Sequence, residues 1–416
     1  MSYVRLWQRL LGVQGTVIEA VSVLEERGEE IVVASVRPRA GRRSRCSRCG
    51  RRCYGYDQGD GRRRWRALDL GSTRAYLEAD APRVSCRAHG VVVAAVPWAR
   101  PGSRCTMAFE EQCAWLAANT ALSVVAELLR VTWRTVAGIV TRVVAEARGE
   151  RDLLAGLRRI GVDEISYRKG QRYLTCVVDH DSGRLVWAAP GRDQDTLRAF
   201  FDLLGPDRSG QLTHVSSDGA EWIHAVVAEK APAAVLCLDP FHIVSWATDA
   251  LDQVRRGLWN QLRQAGKTDQ AAAMKGSRWA LVKNPADLTG EQRTTLAAIS
   301  TTNKGIYRAY LLKEQLRAVF ETKGEQGLSL LAGWLVWAAR SRLPAFVKLA
   351  ATIKRFLPLI KNTLEHGLSN ARSEATNTHL RLLTRRAYGY HSPEALIAMA
   401  MLTRGGLCPP LPGRTS

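Results

Sequence analysis

The sequence predicts a multidomain α+β protein, with a β-rich zinc-binding N-terminal module, a helix-turn-helix, and a mixed-sheet α/β core that carries a helical subdomain. Three observations predict it. Two short Cys/His pairs lie in an arginine-rich, strand-patterned stretch before residue 98, and two helical runs follow between 105 and 150. From about residue 158 the periodicity changes to strands alternating with helices. A chain of 416 residues is long enough for several domains, each with its own core.

Composition narrows the function. Sixty Lys+Arg against 39 Asp+Glu give a formal net charge of +21, so a polyanion is the expected partner, and nucleic acid is the commonest. Hydrophobic content of 46% with 24% charged residues excludes a disordered chain. The longest near-apolar run, Leu328 to Ala339, has 12 residues, short of the roughly 18 a membrane-spanning helix needs. The opening MSYVRLWQRLLGVQG carries no secretion signal, so a cytoplasmic location is expected. Nine cysteines, an odd number and mostly scattered, fit reduced thiols better than a disulfide framework.

Residues 14–37 alternate apolar and polar around Arg27-Gly28, the pattern of a hairpin. Between Arg37 and Arg74 stand 13 arginines and three acids. Arg42, Arg43, Arg45, Arg62, Arg63 and Arg64 are the candidate DNA contacts, because clustered guanidinium groups displace counterions from phosphates together. Tyr54, Tyr56 and Trp65 lie among them, with rings able to stack on bases. The same stretch holds Cys46-Ser-Arg-Cys49 and, after a gap of 36 residues, Cys86-Arg-Ala-His89. Two such knuckles suit tetrahedral Zn²⁺, the intervening segment folding back to join them. Cys53 is a spare thiol that competes with His89 for the fourth position.

After VPWARPGSR (96–104) the chain becomes helical. Phe109 to Ala118 has one apolar face. In the run 122–144, Leu122, Val125, Leu128 and Leu129 fit the core side of a short first helix, and Val136, Ile139, Val140 and Val143 that of a second. Thr132 is the expected N-cap, and Trp133 and Arg134 stand at the exposed start. A second helix presenting its N-terminal residues in this way is the pattern of a helix-turn-helix entering the major groove.

Next come three strand candidates, RRIGVDEIS, QRYLTCVVDH and GRLVWAAP, then a helix, the strand LTHVSSD, a helix, the strand AAVLCLD and a further helix. Hairpin-linked strands followed by right-handed crossovers give a mixed sheet with helices on both faces. From about 250 to 365 the pattern is helical and basic. Asp163 lies in the first strand and Asp218 ends the fourth, which can be parallel neighbours. Glu374 lies in a later helix, SNARSEATNTHLRLLTRR, with Ser369 or Asn370 as its expected cap. Such a trio makes sense as a cage for hard divalent cations that bridge a phosphate. Glu164, Asp179, Asp181 and Glu221 are competitors for those places.

The chain resembles the ISL-three family of bacterial insertion-sequence transposases from about residue 40 to 405. The residues that carry the resemblance are the two knuckles, VPWARPGSRCTMAFEEQCAWLA, GVDEIS, VSSDGAEW, LDPFHIV with DALDQVRR, and SNARSEATNTHLRLLTRRAYGYHSPEAL. Some relatives carry cysteine where His89 stands. The resemblance implies a ribonuclease H-like core of the Asp-Asp-Glu type, interrupted before its final helix by an insertion. On it rests most of the assignment of Asp163, Asp218 and Glu374 as the residues that hold Mg²⁺ (or Mn²⁺). Arg381, seven residues after Glu374, is then a candidate for a terminal phosphate, and Asp239 and His242 are possible accessory residues.

The expected organisation is 1–98 zinc-binding module, 105–150 helix-turn-helix, 157–250 first part of the core, 251–365 helical insertion, 366–405 closing helices and 406–416 tail. The expected partners are double-stranded DNA, as element ends and target, and further copies of the chain, at least a dimer on DNA. The expected setting is the bacterial cytoplasm, at the nucleoid when bound. The alternative reading is a non-catalytic zinc-dependent DNA-binding protein derived from a transposase, and a structure-selective nuclease on the same core is a third.

Overall fold

A computed structural model describes residues 3–168, 170, 172–368, 371–387, 390 and 392–414, with the side chains of 3–5 and 371–374 outside the description. These residues form two compact units, 1–153 with 383–416, and 154–382.

The first unit opens with helix α1 (Tyr3–Leu10), which the sequence reading left unassigned, and strands β1 (Thr16–Glu26) and β2 (Glu29–Pro38). The hairpin turns where expected, at Arg27 and Gly28, both with positive φ, as a two-residue turn matched to strand twist requires. Strands β3 (Tyr54–Asp57), β4 (Arg62–Arg66), β5 (Arg74–Asp80), β6 (Arg83–Cys86) and β7 (Gly90–Val93) follow. They complete two sheets, ordered β1-β2-β5-β4 and β3-β6-β7. Trp65 and Trp98 meet edge to face at 5.5 Å, among Ile18, Val36 and Leu77.

Helices α2 (Met107–Asn119), α3 (Leu122–Leu128) and α4 (Trp133–Glu150) form the expected helical group. Thr106 caps α2, and Thr132 caps α4 by accepting from the Thr135 N–H at 3.2 Å. Val136, Ile139, Val140 and Val143 are buried as the spacing predicts, but Leu128 is 59% exposed. Helix α3 has two turns and seats through Val125 and Leu129, so Leu128 faces outward.

The second unit begins with β8 (Arg159–Arg168), β9 (Arg172–Asp179), β10 (Leu185–Pro190), helices α5 (Gln194–Leu204) and α6 (Pro206–Ser209), β11 (His214–Ser217), α7 (Glu221–Lys230) and β12 (Val235–Leu238). The sheet runs β10-β9-β8-β11-β12, with β10, β9 and β8 antiparallel and β8, β11 and β12 parallel. This is the mixed sheet of a ribonuclease H-like core. Between Pro240 and Arg386 every element among the described residues is a helix. The α-helices are α8 (Pro240–Gln264), α9 (Thr268–Gly276), α10 (Arg278–Val282), α11 (Gly290–Thr302), α12 (Lys304–Thr322), α13 (Gly324–Ala339), α14 (Pro344–Arg355), α15 (Leu357–His366) and α16 (Ala371–Arg386).

The sheet packs with α5 and α7 in one buried cluster, around Val162, Val177, Phe200 and Val226, and its edge strand β12 joins the helical core. Leu238 and Ile243 belong to the same buried cluster as Trp334 and Phe346. Asn362 and Thr363 of α15 donate to the carbonyls of Leu236 and Leu238, which covers the open edge of β12. Helix α17 (Pro393–Arg404) belongs to the first unit and packs on α2 and α4. No helix among the described residues is long and apolar enough to cross a membrane.

Candidate functional sites

The four residues of the two knuckles come together. The ligand atoms of Cys46, Cys49, Cys86 and His89 lie within 4.8 Å of one another. Both Cys46 Sγ and Cys86 Sγ stand 3.6 Å from His89 Nδ1, and Cys49 Sγ is 3.8 Å from Cys86 Sγ. A zinc tetrahedron with Zn–S of about 2.3 Å and Zn–N of about 2.0 Å has edges of roughly 3.5–3.8 Å, so the donor set fits Zn²⁺. The local chain explains the shape. In each knuckle the second ligand is followed by a glycine at positive φ, Gly50 at 68° and Gly90 at 66°, and the Arg48 N–H donates to Cys46 Sγ. A glycine directly after the second ligand of each pair is a mark of the knuckle that ligand spacing alone does not use. The N–H of Ala88 pulls the Cys86 thiol down to about 7, which favours the thiolate a metal needs. Cys53 bonds instead to the Arg51 carbonyl. Burial pushes the scattered thiols the other way, Cys105 and Cys237 to about 11 and Cys113 and Cys176 to about 12.

The six arginines proposed for DNA divide by their partners. Arg62 and Arg64, on one face of β4, both pair with Glu78, and Arg64 also pairs with Glu26. Arg45 donates to the Gly50 carbonyl and braces the first knuckle. Arg42 and Arg43 are exposed, and Arg43 donates to the Pro38 carbonyl. Arg63, on the other face of β4, lines a cleft of about 700 Å³ with Arg48 and Trp65. Tyr54 and Tyr56 are exposed on β3, where Arg83 lies over the Tyr56 ring at 5.5 Å.

Asp69 pairs with both Arg66 and Arg130, and Arg130 occupies the left-handed turn between α3 and α4. That turn leads into Trp133 and Arg134, stacked at 5.4 Å at the start of α4. Arg100, in the link before α2, pairs with Glu110, Glu111 and Glu146. Glu110 is fully buried and takes a second partner in Arg142. A buried carboxylate needs such compensation.

In the second unit, β8 and β11 are parallel with His214 opposite Arg159 and Ser216 opposite Gly161. Carried two residues further, that register sets Asp218 opposite Asp163. The register of β11 with β12 pairs Ser217 with Leu238, so the next pair is Asp218 with Asp239. By this register Asp218 and Asp239, the residues that directly follow β11 and β12, stand level with Asp163 in the middle of β8, at the end of the parallel strands where open sheets bind their ligands. Burial pushes the Asp163 carboxyl up to about 6, and the charges of Asp218 and Asp239 add to the rise. Asp218 Oδ1 accepts from the Ala220 N–H at 3.0 Å. A Cβ on Gly219 would come within 2.9 Å of Trp246, so the loop after Asp218 lies tight on α8. Asp239 caps α8 through the Phe241 N–H, with Pro240 in the first turn, and Asp239 Oδ2 lies 3.8 Å from His242 Nε2.

Of the competing acids, Asp179 accepts turn N–H groups from Asp181 and Ser182, Asp181 pairs with Arg159, and Glu221 is exposed beside Arg355. Glu164 is different. It is buried, paired with Arg192, and raised to about 7 by burial first and by Asp218 next. Glu374 lies in α16, but its side chain is outside the described residues, as are Ser369 and Asn370. Arg381 is exposed on the same helix. One α16 residue the sequence reading passed over, Asn377, donates to Asp163 Oδ2 at 2.6 Å. A clustered set of carboxylates, partly buried, suits hard divalent cations with oxygen ligands.

Comparison with known proteins adds three family matches. Residues 160–400 match a family described as "Transposase", of the ISL3 type. Residues 94–144 match the helix-turn-helix domain of transposase family ISL3, and residues 42–89 the zinc-finger of transposase IS204/IS1001/IS1096/IS1165. The chain is 52% identical to the transposase for insertion sequence element IS1557 of Mycobacterium tuberculosis, over all of this chain and 98% of that one. It is 28% identical to the transposase for insertion sequence element IS1001 of Bordetella parapertussis, over 94% of this chain and 95% of that one. With its zinc-binding knuckles, its helix-turn-helix and a match across more than half its length, the chain belongs to the ISL3, or ISL-three, family of insertion-sequence transposases.

Proposed function

We propose that this chain recognises the terminal inverted repeats of its own insertion sequence and cuts and joins DNA at their boundaries. The observation that carries the reading is that the β8/β11 register brings Asp163, in the middle of β8, level with Asp218, just past the end of β11, within the region that matches the transposase family. Asp163, Asp218 and Glu374 would hold two Mg²⁺ (or Mn²⁺) ions. Bound there, such a pair supplies activation of an attacking water or 3′-hydroxyl and stabilisation of the leaving oxygen in an in-line displacement.

The chain's own groups do the rest. The Ala220 N–H fixes Asp218, and the N–H of Glu164 holds Asp163 Oδ1 at 2.7 Å. Asp239 and His242 would act beside them as orienting groups, and Arg381 would take a phosphate. Thr132, Trp133 and Arg134 would meet base edges and phosphates in a major groove. Arg42, Arg43 and Arg63 would add backbone contacts, while Arg45, Arg62 and Arg64 hold the shape of the zinc module. Synapsis of two ends calls for at least two copies of the chain.

The non-catalytic reading gains no support from a site that keeps two aspartates in register and a third beside them. The test is Asp218→Asn on DNA carrying the native ends. End binding is expected to survive and nicking to disappear. Loss of both would make Asp218 a folding residue, and retention of both would overturn the assignment.

A further inference from the structure

Asn377 is 5% exposed, and its Nδ2 donates to Asp163 Oδ2 at 2.6 Å, joining α16 to β8 across 214 residues of sequence. The other oxygen of Asp163 accepts the Glu164 N–H at 2.7 Å. The carboxylate is therefore gripped from both sides, one donor on each oxygen, which fixes its rotation and leaves lone pairs on both oxygens for other ligands. Asn377 Oδ1 is buried and accepts no hydrogen bond among the described residues, so the bond to Asp163 is the polar anchor this side chain shows.

Residue type matters here. A lysine or arginine in this place would cancel the negative charge that a cation site depends on. An aspartate would repel Asp163. The asparagine amide is a neutral donor that favours the ionised carboxylate without cancelling its charge. Position matters as well. Asn377 follows Glu374 by three residues and precedes Arg381 by four, so its bond ties to β8 the helix that carries both, beside the buried Thr376 and Leu380.

We propose that Asn377 is a positioning residue, which locks the Asp163 carboxylate and holds α16 against β8 in the arrangement needed for divalent-cation binding. The proposal rests on reading Asp163 as a cation-holding carboxylate. Partners in the outer shell of metal ligands typically change affinity by about 10–100-fold.

The test measures Mn²⁺ binding to the full chain by water-proton relaxation, with thermal melting alongside, for wild type, Asn377→Leu, Asn377→Ala and Asp163→Asn. Leucine keeps the branched heavy-atom shape of asparagine and removes the amide, so it carries the test should the alanine variant not fold. Expected is a Mn²⁺ affinity at least ten-fold weaker in folded Asn377→Leu. End nicking should show a raised metal half-saturation and a smaller loss of rate at saturating Mn²⁺. Wild-type Mn²⁺ affinity in Asn377→Leu, with Asp163→Asn defective, would overturn the proposal and leave the metal reading standing. Wild-type affinity in Asp163→Asn would overturn the metal reading and the proposal together.

Discussion

Cys49 and Cys86, 37 residues apart, place their sulfurs 3.8 Å from each other, the edge of a zinc tetrahedron and far beyond a disulfide bond of about 2.05 Å. Their chain neighbours Cys46 and His89 complete the set. One zinc per chain is therefore expected by metal analysis. Replacing Cys86 or His89 by alanine should release it and unfold the β-rich module, whereas Cys53→Ser should keep the full content. Loss of zinc in Cys53→Ser with retention in His89→Ala would reassign the fourth ligand.

Glu110 is the hinge of a second prediction. It is fully buried between Arg100 and Arg142, and its Oε1 also accepts from Ser103 Oγ at 2.7 Å. Removing Glu110 takes the buried partner from Ser103 and from the one-third-exposed Arg142, while Arg100 keeps Glu111 and Glu146, so the cost is about 1–3 kcal/mol. Glu110→Ala should lower the unfolding free energy of the first unit, read by denaturant titration, by that amount. An unfolding free energy within about 0.5 kcal/mol of wild type would show that the network relaxes freely.

The cap and the recognition residues of α4 should separate in a stability and binding series. Thr132→Ala removes the acceptor for the Thr135 N–H and should cost about 1 kcal/mol of stability. Arg134→Ala leaves the cap intact and should weaken end binding, with a salt dependence reduced by about one counterion if it meets a phosphate. Unchanged binding and salt slope in Arg134→Ala would move the reading head away from α4.

Acidity supplies a fourth prediction. Asp163 and Glu164 have folded-state pKa values raised to about 6 and about 7. A raised carboxyl contributes stability that is fully present below its unfolded value, near 4, and is lost as pH rises through the folded value. Without divalent cations, wild type should lose stability from pH 5 to pH 8 relative to Asp163→Asn and Glu164→Gln. Melting curves that run parallel for all three across this range would contradict the assignment.

Much of this was legible in the sequence because periodicity and spacing are local. The β1–β2 hairpin, the Thr132 cap and the strand order around Asp163 and Asp218 all follow from alternation, turn residues and short connections. The knuckle pairs were legible because two-residue gaps encode a ligand geometry. What escaped depends on distant chain meeting distant chain. Glu164 stood only among the competitors; alternation puts it on the face opposite Asp163, and nothing local shows that this face is covered as well. Asn377 went unnoticed because its partner lies 214 residues away. Leu128 was misplaced because apolar spacing in a two-turn helix does not define which side the rest of the unit covers. The arginines read as one basic surface, and only strand pairing reveals that Arg62 and Arg64 are already matched by Glu78.

The central claim is that three carboxylates on the ribonuclease H-like core carry out metal-dependent DNA cleavage. It is tested most directly with labelled DNA bearing the native element ends, incubated with Mg²⁺ or EDTA and with wild type or Glu374→Gln. Nicking at the end boundary is expected to need Mg²⁺ and to disappear in Glu374→Gln, with end binding retained. Equal nicking by wild type and Glu374→Gln, or tight end binding with no cleavage in either Mg²⁺ or Mn²⁺, would contradict it.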